Sequence, residues 1–157
     1  QQLRRVAPGG GRFSGCCFFR RTLKQIFSYP MITLLDHLQL TIPPGEEDKA
    51  RVYYTGLLGM TEEPKPGAYA SRGGCWFRAG AASVHLGVEA DRRPSPKAHL
   101  ALCVDDLDSL AAALGQAGYP IDWEDVIPGR KRLYTQDPFG NRIELIQDGD
   151  GFSQRAQ

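Results

Sequence analysis

The sequence predicts an α+β fold made of two βαβββ modules, and three observations lead there. Two segments repeat. Asp36-His37-Leu38-Gln39-Leu40-Thr41-Ile42 is echoed by Ala98-His99-Leu100-Ala101-Leu102-Cys103-Val104, and Ser83-Val84-His85-Leu86-Gly87-Val88 by Arg142-Ile143-Glu144-Leu145-Ile146-Gln147. The spacing is similar in each half, 48 residues from His37 to His85 and 45 from His99 to Glu144. Within each half, short apolar runs of strand length surround one helical pattern.

In order, residues 33–42 alternate as a strand, with Leu34, Asp36, Leu38 and Leu40 on one face and Leu35, His37, Gln39 and Thr41 on the other. Pro43-Pro44-Gly45 ends it. Glu46, Glu47 and Asp48 open a helix, where acids suit the positive end of the dipole. Ala50, Tyr53, Tyr54 and Leu57 recur at helical spacing, and Gly59 is placed to cap its C-terminus. Residues 64–74 read as a loop, and 75–78 with 82–89 as a hairpin closed by Ala79-Gly80-Ala81. A linker spans 91–97, and then the order repeats. Residues 98–104 form a strand and 106–117 a helix, with Asp105 or Asp106 as N-cap and Gly118 as C-cap. Short strands follow at 121–124, 131–136 and 142–146, the last two joined by the turn Asp137-Pro138-Phe139-Gly140-Asn141. Both halves thus read strand, helix, then three strands.

With 157 residues, 41% hydrophobic and 24% charged, the chain suits one soluble domain. Its net charge of +1 is unevenly spread, because six of the nineteen basic residues and none of the eighteen acids lie in residues 1–30. The remainder is mildly acidic and gives no reason to expect nucleic acid as a partner. Residues 1–30 combine Gly-Gly-Gly, Arg pairs and Cys16-Cys17, and are expected to be upstream sequence or an expression remnant ahead of Met31, or else a targeting segment. The domain is expected over 31–148, with modules near 31–90 and 97–148 and a flexible tail over 149–157. Cys75 and Cys103 sit in strand-like runs as free thiols, and no C-x-x-C occurs. No apolar run approaches the ~20 residues of a membrane span. The expected compartment is the reducing cytoplasm.

All three histidines fall at repeat-equivalent places, and Glu144 completes the pattern. Two ligand-grade side chains from each module would converge on a His37, His85, His99, Glu144 metal site with room for substrate. Imidazole and carboxylate suit Zn, Ni, Mn, Co or Fe, and three or four protein ligands leave positions open. Such an ion acts as a Lewis acid, and a ligand carboxylate such as Glu144 can double as general base. Arg130-Lys131-Arg132 reads either as a binder for an anionic substrate, through Arg132, or as a solvated strand entrance. Of Trp76 and Phe77, one should face the cleft and the other a core. Tyr53 and Tyr54 read as helix-packing residues.

Residues 32–147 resemble the vicinal oxygen chelate superfamily of glyoxalase I, fosfomycin-resistance proteins, bleomycin-binding proteins and extradiol dioxygenases. The resemblance is carried by Asp36-His37-Leu38, Tyr53-Tyr54-x-x-Leu57-Leu58-Gly59, Lys97-Ala98-His99-Leu100-Ala101-Leu102-x-Val104-Asp105 and Asp137-Pro138-Phe139-Gly140-Asn141-Arg142-Ile143-Glu144-Leu145. It implies a glyoxalase-like fold with an open, barrel-like cleft, and metal ligands at His37, His99 and Glu144. His85 departs from glyoxalase I, which carries glutamate there, so it is either a fourth ligand or a substrate-facing base. Tyr134 matches a substrate-contacting tyrosine of fosfomycin-resistance enzymes, or is a packed aromatic. Trp76 is the other aromatic candidate beside the substrate.

The resemblance implies a divalent-metal-dependent, glyoxalase-like lyase, isomerase or transferase acting on a small oxygenated electrophile. The alternative is a non-catalytic drug- or metabolite-binding protein of the bleomycin-resistance kind. Two-module relatives pair, so a homodimer is expected, with each site built from both chains.

Overall fold

A computed structural model describes residues 32–149. Contacts divide the chain into two units, one ending at Leu35 and one beginning at Asp36. In the first, the described residues 32–35 carry no regular secondary structure. The expectations for residues 1–30 and for the tail beyond Gly149 lie outside the described residues.

The second unit opens with β1 (Leu38–Ile42), shorter than the expected 33–42, because residues 33–37 adopt no strand conformation. Helix α1 (Glu47–Arg51) passes directly into a π-helical stretch, Val52–Leu57, in which the Leu58 N–H donates to the Tyr53 carbonyl at 3.0 Å. The wider turn lets two consecutive tyrosines, Tyr53 and Tyr54, both reach the core with no exposed surface. Gly59 then takes φ +68°, as a helix-ending glycine should. Next come β2 (Thr61–Glu63), which supplies the third strand of the first half, and a 3-10 helix, Gly67–Arg72, inside the expected loop. β3 (Cys75–Ala79) and β4 (Ala82–Val88) form the hairpin. Gly74, just before β3, has φ +78°, and a Cβ there would lie 2.0 Å from the Leu86 carbonyl oxygen, so only glycine fits this close approach.

The second half repeats the plan. β5 (His99–Val104) leads to α2 (Leu107–Gln116), whose N-cap Asp106 accepts from the Ser109 N–H at 3.0 Å. β6 (Asp122–Glu124), β7 (Arg132–Gln136) and β8 (Arg142–Gln147) follow. Two open four-stranded sheets result, ordered β1-β4-β3-β2 and β5-β8-β7-β6. In each, the first and last strands pair in parallel and the others antiparallel. The fold is α+β, as the sequence predicts.

One contiguous core joins the elements. Tyr53 and Tyr54 meet Tyr119 and Phe77, while Leu107, Ala111 and Leu114 of α2 join Leu133, Ile143 and Leu145 of the second sheet. Each fully buried aliphatic side chain contributes about 1.5–3 kcal/mol. Among the described residues, no helix is long and apolar enough to cross a membrane.

Candidate metal and substrate site

Strand pleating assigns the functional side chains to one face of each sheet. In the first sheet Gln39, His85, Trp76 and Glu63 stand opposite one another across four strands. In the second the equivalent row is Ala101, Glu144, Tyr134 and Asp122. The alternate rows, such as Leu38–Val84–Phe77 and Leu100–Ile143–Thr135, face the other way and carry most of the core. His37 immediately precedes β1, and His99 is the first residue of β5. Hence His85 and Glu144 are structural equivalents, and so are Trp76 and Tyr134.

On the first sheet the His37 and His85 rings stack at 4.1 Å with planes 19° apart. The other neighbour of His85 is Trp76, at 4.0 Å and 4°. His85 Nε2 lies 3.4 Å from Ser83 Oγ. Burial, with His37 alongside, holds the His85 imidazole below its ordinary pKa. His37 Nδ1 lies 2.7 Å from Asp36 Oδ2. Phe77, by contrast, is fully buried and stacks on Tyr54, so the Trp76–Phe77 pair splits between the two faces.

On the second sheet His99 Nε2 and Glu144 Oε2 are 3.0 Å apart, and His99 Nδ1 is 2.8 Å from the Lys97 carbonyl oxygen. The other oxygen of Glu144 accepts from Arg132 Nη1 at 2.7 Å. Glu144 is only 5% exposed, so its charge must be met locally, and it is. Tyr134 presents its ring edge-on to His99 at 5.5 Å, and the Arg142 guanidinium lies 3.7 Å from the Tyr134 ring centroid.

These partners bear directly on metal binding. A carbonyl oxygen only accepts, so His99 Nδ1 donates to Lys97, and Nε2 is the nitrogen turned toward the Glu144 carboxylate, where the two would address one ion together. The Asp36 carboxylate orients His37 in the same sense. An imidazole whose Nδ1–H is held by a carboxylate or backbone carbonyl is the arrangement that metal-binding histidines require. Donors of the right chemistry are therefore present at His37, His99 and Glu144. His85 differs. Two imidazoles sharing one ion need ring planes that meet at it, about 2 Å from each nitrogen, and nearly parallel stacked rings have no such common point.

The structure does not bring all four candidates together. They form two pairs, His37 with His85 and His99 with Glu144, and among the described residues no group of three or more His, Cys, Asp or Glu is placed to hold a metal ion. Trp76 joins the first pair, while Tyr134 and Arg132 join the second. Residues 64–74 help to line a cleft of about 680 Å³ with Glu47, Arg51 and Glu62, and no candidate site residue lines it. A cleft of about 570 Å³ between Trp123 and Arg132 adjoins the second pair. Sequence reasoning missed Asp36, Lys97 and Glu124 as supporting groups. Only Asp36 carried a signal, its adjacency to His37.

A family profile, the Glyoxalase/Bleomycin resistance protein/Dioxygenase superfamily, matches residues 34–145. Comparison with curated proteins gave no match. Among solved structures, the chain is similar to a protein from Bacillus anthracis described as a glyoxalase family protein. The two share 39% identity with a TM-score of 0.72, over 76% of this chain and 98% of that one. FosX, a fosfomycin resistance protein from Listeria monocytogenes, is 14% identical with a TM-score of 0.62, over 74% and 94% of the two chains. TnmS3, an antibiotic binding protein from Streptomyces sp. CB03234, is 24% identical with a TM-score of 0.56, over 76% and 98%. At those lower identities the likeness is one of fold. With the repeat, the sheet order and the matched profile all in agreement, this chain belongs to the glyoxalase/bleomycin resistance protein/dioxygenase superfamily.

Proposed function

We propose that the protein is a divalent-metal-dependent, glyoxalase-like enzyme of lyase, isomerase or transferase type, acting on a small oxygenated electrophile. His37, His99 and Glu144 are its metal ligands. The observation that carries this reading is the paired arrangement of His37 and His99, each with Nδ1 against an acceptor, and with His99 Nε2 turned toward Glu144 Oε2 at 3.0 Å. The donor set suits Zn, Ni, Mn, Co or Fe. When bound, such an ion supplies Lewis acidity toward a substrate oxygen.

The chain's own residues do the rest. His85, stacked and without an ion-pair partner among the described residues, is the substrate-facing imidazole rather than a fourth ligand. Trp76 and Tyr134, at equivalent ladder positions, flank the substrate from the two halves. Because His37 and the His99–Glu144 pair are not assembled within one chain, the active form is a homodimer. Each site joins His37 and His85 of one protomer to the partner's His99 and Glu144. Free thiols at Cys75 and Cys103 fit a reducing compartment such as the cytoplasm.

Metal analysis of protein purified without chelator tests the reading. About one divalent ion per chain is expected, retained in His85→Ala and lost in Glu144→Ala. Absence of metal in the native protein, with no uptake on titration with Zn, Ni, Mn or Fe(II), would leave the drug- or metabolite-binding alternative.

A further inference from the structure

Arg132 has the sequence pattern of a substrate-binding cation, but both terminal nitrogens of its guanidinium are already engaged by carboxylates, and its Nε is buried without a hydrogen-bond partner. Nη1 donates to Glu144 Oε1 at 2.7 Å, and Nη2 lies 3.1 Å from Glu124 Oε2. The Arg132 and Glu144 side chains are only 11% and 7% exposed, while Glu124 retains 31%. The three residues come from adjacent strands. Glu124 stands directly opposite Arg132 in the β6–β7 ladder, and Glu144 lies diagonally across β7–β8, opposite Tyr134. One cation thus sits between two carboxylates on the face that also carries His99.

We infer that Arg132 is a positioning residue, anchored by Glu124, that fixes Glu144 so that Oε2 alone is presented to His99 and the metal. The inference rests on Glu144 being a ligand. Its physical basis is the planar guanidinium fork, which addresses two carboxylates from fixed directions, whereas a lysine ammonium is a single point of charge. A flexible glutamate loses rotamer freedom when it captures an ion, and one already held by a buried arginine has lost it beforehand. The same contact engages Oε1 and supplies the counter-charge that a nearly buried carboxylate needs. Binding an anionic substrate bidentately through the two Nη groups would compete with both ion pairs. The anion-binding reading of Arg132 is therefore replaced by one in which Arg132 acts through Glu144.

The test is zinc affinity of the full chain, measured by competition with a chromophoric chelator, with circular dichroism and melting temperature as controls for folding. Arg132→Met is expected to weaken zinc binding by roughly 10–100-fold, as loss of an outer support typically does, and Arg132→Lys to recover part of the loss. Glu124→Gln keeps a neutral hydrogen-bonding group but removes the anchoring charge. It is expected to weaken binding by roughly 3–10-fold, and it carries the test if Arg132→Met does not fold. Zinc affinity within about threefold of wild type in folded Arg132→Met, or in Glu124→Gln where the first is unfolded, would overturn the inference. Failure of the underlying ligand assignment reads differently, because Glu144→Ala would then bind zinc as wild type does, or wild type would bind none.

Discussion

Mixing His37→Ala protein with Glu144→Ala protein is expected to restore metal binding that neither variant retains alone. Each variant by itself lacks a ligand at every site, and its affinity should fall by more than the roughly 10–100-fold typical of losing an outer support. The structure keeps His37 with His85 on one sheet and His99 with Glu144 on the other, with no assembled set of three. If two copies complete each other, a mixed dimer holds one site with both lesions and one with none. Random exchange, by co-expression or by joint unfolding and refolding, makes half the dimers mixed, so about a quarter of all sites should bind metal. A site assembled within one chain would give no recovery at any mixing ratio. A monomer by light scattering at micromolar concentration would also overturn the shared site.

Much of this arrangement was legible in the sequence, because a strand's side-chain period of two turns a repeated motif into a repeated location. The echo of Leu38 by Leu100 and of Val84 by Ile143 appears as equivalent parallel registers, Leu38 opposite Val84 and Leu100 opposite Ile143. That equivalence carries His85 onto Glu144 and Trp76 onto Tyr134 with no further assumption. The capping glycines Gly59 and Gly118 were legible for a similar reason, since both adopt positive φ just past a helix.

Other features left no such trace. Thr61-Glu62-Glu63 has no apolar alternation, so β2 is visible only through its pairing with β3. Adjacent tyrosines on an ordinary α-helix are separated by about 100° of rotation, and nothing local announces the π-helical turn that buries both. A repeat identifies equivalent positions but not whether two modules complete one site or halves of two. The role of Arg132 also depended on register. The two residues before it in sequence are basic, while its neighbours across the ladder are Glu124 and, diagonally, Glu144.

The largest expected loss of stability comes from Asp137→Ala, in the turn that most strongly marks the family. Asp137 is only 4% exposed and accepts four hydrogen bonds. Its Oδ1 takes the Phe139 N–H at 2.9 Å and the Asn141 N–H at 2.8 Å, and its Oδ2 takes the Tyr54 hydroxyl at 2.9 Å and Asn141 Nδ2 at 2.6 Å. Asn141 Nδ2 also donates to the Thr41 carbonyl at 3.0 Å, and Arg92 reaches Asn141 Oδ1 at 2.8 Å. Tyr54 and Thr41 belong to the first module, Arg92 to the linker and the turn to the second, so one carboxylate ties together all three. Alanine would leave up to four buried donors without an acceptor, at about 1–3 kcal/mol each before relaxation and water entry. A net loss of about 3–5 kcal/mol is expected, comparable to breaking a buried ion pair. For a domain of this size that lowers the melting temperature by roughly 10–20 °C. Burial pushes the Asp137 carboxyl above its ordinary pKa although the donors pull it down, so charge is not what the site gains from this residue. Asp137→Asn, which keeps an oxygen for the turn amides, should therefore cost clearly less than Asp137→Ala. Equal melting temperatures for the two variants would show that the second acceptor oxygen, which faces the Tyr54 hydroxyl and Asn141 Nδ2 and which an asparagine amide cannot replace, carries most of the effect. Zinc affinity of folded Asp137→Ala at low temperature should stay near wild type, since no hydrogen bond of Asp137 reaches Glu144, Arg132 or a histidine.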